Sequence, residues 1–138
     1  MARTVREAMT ERPRTLGLDD TIVEAARAMR DEDAGIMPVV DGDRLEGVIT
    51  DRDVAVRVVA EGSDPNATKV RDAMSDRLVT IDPGQDLDEA MRLMAEHQVR
   101  RLPVCEEDGR LVGMLAQADV AEHADDARTG GTVQQISR

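Results

Sequence analysis

Gly47-Val48-Ile49-Thr50-Asp51-Arg52-Asp53-Val54 reads as a buried strand running straight into a helix. Further along, Gly113-Met114-Leu115-Ala116-Gln117-Ala118-Asp119-Val120 repeats the order of a glycine, two apolar residues, a short turn, an aspartate and a valine. A strand end meeting a helix N-terminus is a favoured ligand position in mixed α/β structure. Free backbone N–H groups and the positive end of the helix dipole are expected to point outward there. Thr50 and Asp53 occupy that junction in the first copy.

Outward from the two junctions, the chain divides into two copies. Val5-Arg6-Glu7-Ala8-Met9 returns as Val70-Arg71-Asp72-Ala73-Met74, 65 positions on. The same offset holds at Thr15/Thr80, Glu24/Glu89, Ala25/Ala90, Met29/Met94 and Pro38/Pro103. Past Asp41-Gly42-Asp43 the second copy gains one residue, and the offset becomes 66 at Leu45/Leu111, Gly47/Gly113 and Asp53/Asp119. An insertion that falls in a turn is what a structural repeat should show.

Each copy reads as β-α-β-β-α. Short extended pieces are expected at 13–16 and 78–81. Thr21-Ile22-Val23-Glu24 has the form of a capping box, and Asp86-Leu87-Asp88-Glu89 fills the same columns. Ile22, Ala25, Ala26 and Met29, and Leu87, Ala90, Met91 and Met94, follow i, i+3, i+4, i+7 spacing and predict one buried face per helix. Strands are predicted over 36–40 and 45–49, and over 102–105 and 111–115, around Asp41-Gly42-Asp43 and Asp108-Gly109. The closing helices start near Asp51 and Gln117, and the first is expected to end at Gly62. The copies span 5–62 and 70–128, with a linker at 63–69 and a loose tail at 129–138. A unit this small has a marginal core alone. The expected fold class is therefore α/β (α+β), with two repeats packed sheet to sheet about a pseudo-two-fold axis.

Composition narrows the function. The net charge is -11, and no Phe, Tyr or Trp is present. Nucleic-acid binding draws on clustered cations and stacking platforms, so both facts argue against it. The single cysteine, Cys105, excludes an intrachain disulfide. It lies in an apolar strand and is expected to be buried. No apolar run approaches the roughly 20 residues that span a bilayer, and the expected compartment is the cytoplasm. His97 and His123 show no metal-ligand spacing, and no nucleophile constellation or phosphate loop suggests an enzyme. The 8 Met are expected to fill core gaps.

The tandem pattern resembles a pair of CBS (cystathionine-β-synthase-type) domains, a Bateman module. The residues that carry it are Val5 to Met9, Thr15, Gly35-Ile36-Met37-Pro38-Val39-Val40 and Leu45 to Val54, with their counterparts. Thr50-Asp51-Arg52-Asp53 with Asp64-Pro65-Asn66, and Glu96-His97-Gln98-Val99-Arg100-Arg101, further resemble stand-alone two-CBS proteins of the actinobacterial hypoxic-response type. The resemblance implies a regulatory sensor, not a catalyst. It implies an adenosyl ligand such as AMP, ADP, ATP or S-adenosylmethionine in the inter-repeat cleft, no required cofactor, a homodimer and a role in stress response.

By that resemblance Thr50 serves a phosphate and Asp53 the ribose hydroxyls. Asp119 matches Asp53, but Ala116 replaces the hydroxyl. Arg100 and Arg101 stand where basic residues reach phosphates. Arg52, Thr15, Thr80, Ile36, Pro38, Leu102 and Pro103 complete the expected ligand-binding set. Two readings stay open at this point. Thr50-x-x-Asp53 is equally a helix cap, and the module could instead be a ligand-free interaction protein that binds an unknown protein partner through its dimer and acidic surface.

Overall fold

A computed structural model of the chain describes residues 3–127. Position 128, the expected end of the second repeat, and the expected tail at 129–138 lie outside the described residues. The chain forms two compact units. A continuous unit spans Arg14–Leu78, and a split unit combines the chain up to Pro13 with the chain from Val79 onward.

The continuous unit contains β2 (Leu16–Gly17), α2 (Ile22–Glu32), β3 (Ile36–Asp41), β4 (Arg44–Thr50) and α3 (Asp51–Asp53). A π-helical stretch, Val54–Val59, extends α3, and α4 (Val70–Ala73) follows. The split unit contains α1 (Val5–Ala8), β1 (Thr10–Glu11), α5 (Leu87–His97), β5 (Arg101–Cys105), β6 (Leu111–Ala116) and α6 (Gln117–Ala127). Each unit holds one three-stranded sheet, in order β2-β3-β4 and β1-β6-β5. β2 runs parallel to β3 with Leu16 beside Val39, and β3–β4 and β5–β6 are antiparallel hairpins. Both hairpins shift register at matched places, between Val39 and Val40 and between Val104 and Cys105. Ile22, Val39, Ile49, Val58 and Val70 centre one core, and Val5, Leu102, Val104, Leu115 and Val120 centre the other.

Local sequence explains most of these elements. The Thr21 hydroxyl accepts the Glu24 N–H at 3.2 Å, and Glu24 accepts the Thr21 N–H in return. Asp86 accepts the Glu89 N–H at 2.8 Å. Gly42, at φ 66°, makes the tight turn of the first hairpin, and the extra residue of the second copy falls in the loop around Gly109, at φ 89°. Gly62, at φ 74°, closes the π-helical stretch with its N–H on the Val59 carbonyl. The expected linker is pinned to the start of α2, where Val23 and Ile22 donate to the Pro65 and Thr68 carbonyls.

Two expectations are corrected. Ala26 and Met91 are exposed, and Ala28 is buried instead, with Leu93 partly buried at the matching place. At 100° per residue, the buried set centres on the Ala25 and Ala90 side of the helix, which turns the i+4 position outward. The extended pieces pair only at their ends: Leu16–Gly17 forms the strand in the first copy, and Ile81 alone bridges Val104 in the second. The repeated leading segments form short helices, α1 and α4, not anticipated as helices.

Those leading segments are exchanged between the repeats. α1, from the first copy, docks in the split unit, where Val5 and Arg6 donate to the Gln85 and Pro83 carbonyls and β1 pairs with β6. α4, from the second copy, docks in the continuous unit, where Val70 and Arg71 donate to Asp20 and Leu18. Two short hydrogen bonds from Arg71 to Asp19, at 3.0 and 2.8 Å, tie α4 down and hold the Asp19 carboxyl below its ordinary range. Beyond α4, Ser75 exchanges both backbone hydrogen bonds with Val48 on β4.

A glycine permits each crossing. A Cβ on Gly47 would lie 2.6 Å from the Ser75 carbonyl oxygen and 3.0 Å from the Met74 sulfur. A Cβ on Gly113 would lie 2.5 Å from the Met9 sulfur and 3.0 Å from the Thr10 carbonyl oxygen. Gly47→Ala and Gly113→Ala should each cost about 1–3 kcal/mol in urea unfolding, as overpacking does. Gly17→Ala, whose Cβ would meet Asp20 no closer than 3.8 Å, should stay within about 0.5 kcal/mol.

Candidate functional site

The junction that follows Gly47 is set by ladder and cap together. Ile36 lies opposite Thr50 across the β3–β4 hairpin, and the Asp51 N–H donates to the Gly35 carbonyl at 2.9 Å. Thr50 and Asp53 form a reciprocal capping box: the Asp53 N–H donates to the Thr50 hydroxyl oxygen at 3.0 Å, and the Thr50 N–H donates to Asp53 Oδ2 at 2.9 Å. Both residues are half-buried. The amides of Asp51 and Asp53, expected to be free, are therefore spent on Gly35 and Thr50. Beyond these two amides, the junction offers side-chain chemistry. The Thr50 O–H still has its proton to donate, and Asp53 Oδ1 keeps lone pairs.

Arg57, which the sequence reading passed over, faces that oxygen. Its Nε lies 3.7 Å from Asp53 Oδ1, and its Nη1 donates to the Met74 carbonyl at 3.3 Å. The i, i+4 spacing of Asp53 and Arg57 was the available signal. Arg52, one residue before Asp53, is exposed. A Cβ on residue 35 would come within 3.0 Å of Asp51 Oδ2, so the glycine makes room for the carboxylate.

In the split unit the second junction keeps half of this arrangement. The Gln117 N–H donates to the Arg100 carbonyl at 2.8 Å, and Arg101 lies opposite Ala116. Asp119 reaches back to the Ala116 N–H at 3.3 Å, but Ala116 returns no hydroxyl. At the place of Arg57 stands His123, whose Nδ1 lies 2.9 Å from the Asp119 carbonyl oxygen. Arg100 is exposed and Arg101 half-buried at this junction, where the first copy has Gly35 and Ile36.

The remaining candidates divide by burial. Pro38, Leu102 and Pro103 are buried, so their side chains pack beneath the junctions and offer a ligand no surface. Thr15 is exposed and Thr80 half-buried. Each directly precedes the residue paired with the first strand of its hairpin, Leu16 with Val39 on β3 and Ile81 with Val104 on β5. β3 thus separates Thr15 from Thr50 within the continuous unit.

Cys105 is buried as expected, and burial pushes its thiol up to about 11. His97 ends α5 beside Glu96, at 3.3 Å. Among the described residues no three His, Cys, Asp or Glu side chains come together to hold a metal ion. No helix among them is long and apolar enough to cross a membrane.

A family model for the CBS domain matches residues 5–60 and again 70–126. The chain belongs to the CBS-domain family, with two domains in tandem. This CBS pair is 39% identical over 121 residues to Hypoxic response protein 1 of Mycobacterium tuberculosis, covering 87% of this chain and 84% of the relative. Its fold is similar to the crystal structure of Hypoxic Response Protein I with two coordinated zinc ions, at a TM-score of 0.80 and 38% identity, over 88% of this chain and 98% of that one. It is likewise similar to CBSX2 in complex with AMP, at a TM-score of 0.79 and 25% identity, over 91% of this chain and 98% of that one.

The difference between the two caps is measurable. Thr50→Ala should cost about 1 kcal/mol by removing the acceptor for the Asp53 amide, and Ala116→Thr should add about 0.5–1 kcal/mol by completing the second box. Calorimetry on the two variants checks both signs.

Proposed function

We propose that this CBS pair is a non-catalytic regulatory module that senses an adenine nucleotide or a related adenosyl ligand at the Thr50–Asp53 junction and relays occupancy to a protein partner. The observation that carries the reading is the chemistry the cap leaves at that junction, with Asp53 Oδ1 shared with Arg57. A hydroxyl donor and a carboxylate oxygen stand one helical turn apart on a half-buried shelf. A hydroxyl suits a phosphate oxygen, and a carboxylate suits a ribose diol. The similar fold of CBSX2, solved with AMP, supports the ligand class. At the second junction Arg100 and Arg101 offer cationic groups to a phosphate, while Asp119, without a hydroxyl beside it, makes that junction the weaker one. No cofactor is required.

The module is proposed to act as a homodimer in the cytoplasm. Val56 and Val59 are 45% and 65% exposed on the π-helical stretch and offer an apolar strip for self-association. Sedimentation should find a dimer, and Val59→Asp should shift it toward monomer. A monomeric parent protein would refute this part.

Ligand sensing is tested by thermal shift with AMP, ADP, ATP, S-adenosylmethionine and NAD. A ligand held only by the folded state, at 100 times its Kd, should stabilise by about 2.7 kcal/mol. Asp53→Asn keeps the size of the side chain and an oxygen to cap Thr50, and should lose at least half of the shift. No shift with any ligand, or an undiminished shift in the variant, would overturn the proposal.

A further inference from the structure

We infer that Arg57 couples the Thr50–Asp53 junction to the exchanged segment formed by α4, Met74 and Ser75; this deepens the ligand-sensing reading and rests on it for its physiological meaning. Arg57 is the side chain that touches both places. Its guanidinium spans from Asp53 Oδ1, 3.7 Å from Nε, to the Met74 carbonyl, 3.3 Å from Nη1. Both partners are poised to respond. Asp53 Oδ2 is already committed to the Thr50 amide, which leaves Oδ1 as the oxygen that Arg57 and a ribose hydroxyl must share. Met74 ends α4, and its carbonyl lies outside the four-residue helix.

Met74 also sits where a shift would be felt. Its sulfur fills the space over Gly47, and the next residue, Ser75, exchanges both backbone hydrogen bonds with Val48, at 2.8 and 3.0 Å. Val48 lies two residues before Thr50 on the same strand. Asp53, Arg57, the Met74 carbonyl and the Ser75–Val48 pair thus form one continuous path within the continuous unit. A ligand that takes Oδ1 loosens Arg57, and Arg57 then releases the Met74 carbonyl. The signal is a faster opening of the Ser75–Val48 pair. The π-helical stretch contributes by carrying Arg57 between the two partners. In the split unit the matching position is His123, which bonds the backbone of its own helix, so the device belongs to the first junction alone.

The test needs no ligand at its first stage. Amide hydrogen exchange at Ser75 and Val48 is followed in the full chain, in Arg57→Gln, in Asp53→Asn and in the double variant. Each single variant should speed exchange at these two amides by about two- to fivefold, the range expected for an exposed charge pair. The double variant should exchange no faster than either single one, because both remove the same link. Arg57→Lys, which keeps the charge but not the fork, should restore less than half of the protection. Additive effects of the two substitutions, or unchanged exchange at Ser75 and Val48 in Arg57→Gln, would overturn the coupling.

A second stage separates this inference from the ligand reading. In the parent protein AMP should speed exchange at Ser75, and in Arg57→Gln it should still bind but leave that amide unmoved. Binding with an equal exchange change in both proteins overturns the role of Arg57 and leaves the sensor reading intact. Absence of binding by AMP, ADP, ATP, S-adenosylmethionine and NAD alike, with a non-additive first stage, overturns the sensor reading and leaves the coupling standing.

Discussion

The close passage of a backbone over Gly47 and Gly113 is the constraint on which the rest depends. At both places another stretch of chain crosses the strand so near that a single Cβ would meet a carbonyl oxygen or a sulfur. The crossing stretch comes from the other repeat in each case. In the continuous unit it gives β4 a partner at Val48, on a sheet edge that would otherwise present unpaired groups. In the split unit it becomes β1, a third strand beside β6. Each crossing point lies three residues before a strand-to-helix junction. The glycine therefore fixes the strand from which Thr50 or Ala116 emerges.

On this common scaffold the two copies diverge in chemistry. The first junction has a complete capping box, a π-helical continuation and Arg57 spanning two partners. The second has a half box, a regular α-helix and His123. Arg100 and Arg101 enter the second hairpin where Gly35 and Ile36 enter the first. Duplication explains why both junctions exist. Divergence of a few side chains leaves a complete capping box at one and a half box at the other.

Much of this was legible in the sequence because it is local or repeated. The offset of 65, then 66, located both hairpins and placed the extra residue in the loop around Gly109. Thr21-x-x-Glu24 and Asp86 announced their helices, since a cap is decided within four residues. Local pattern failed where the deciding partner was distant. The Asp51 amide looked free until the Gly35 carbonyl reached it. Val5 to Met9 and Val70 to Met74 are so alike that periodicity cannot say which sheet each covers. The faces of α2 and α5 were misjudged at Ala26 and Met91 because the spacing admits two stripes that differ by a partial turn, and only the sheet chooses between them. Arg57 went unread because its second partner, Met74, is 17 residues away.

The proposed ligand site is the first junction. Its most direct test is an amide NMR titration of the intact chain with AMP. The largest shift changes are expected at Thr50, Asp51 and Asp53, with smaller ones at Ala116 and Asp119. Changes confined to the second junction would contradict it.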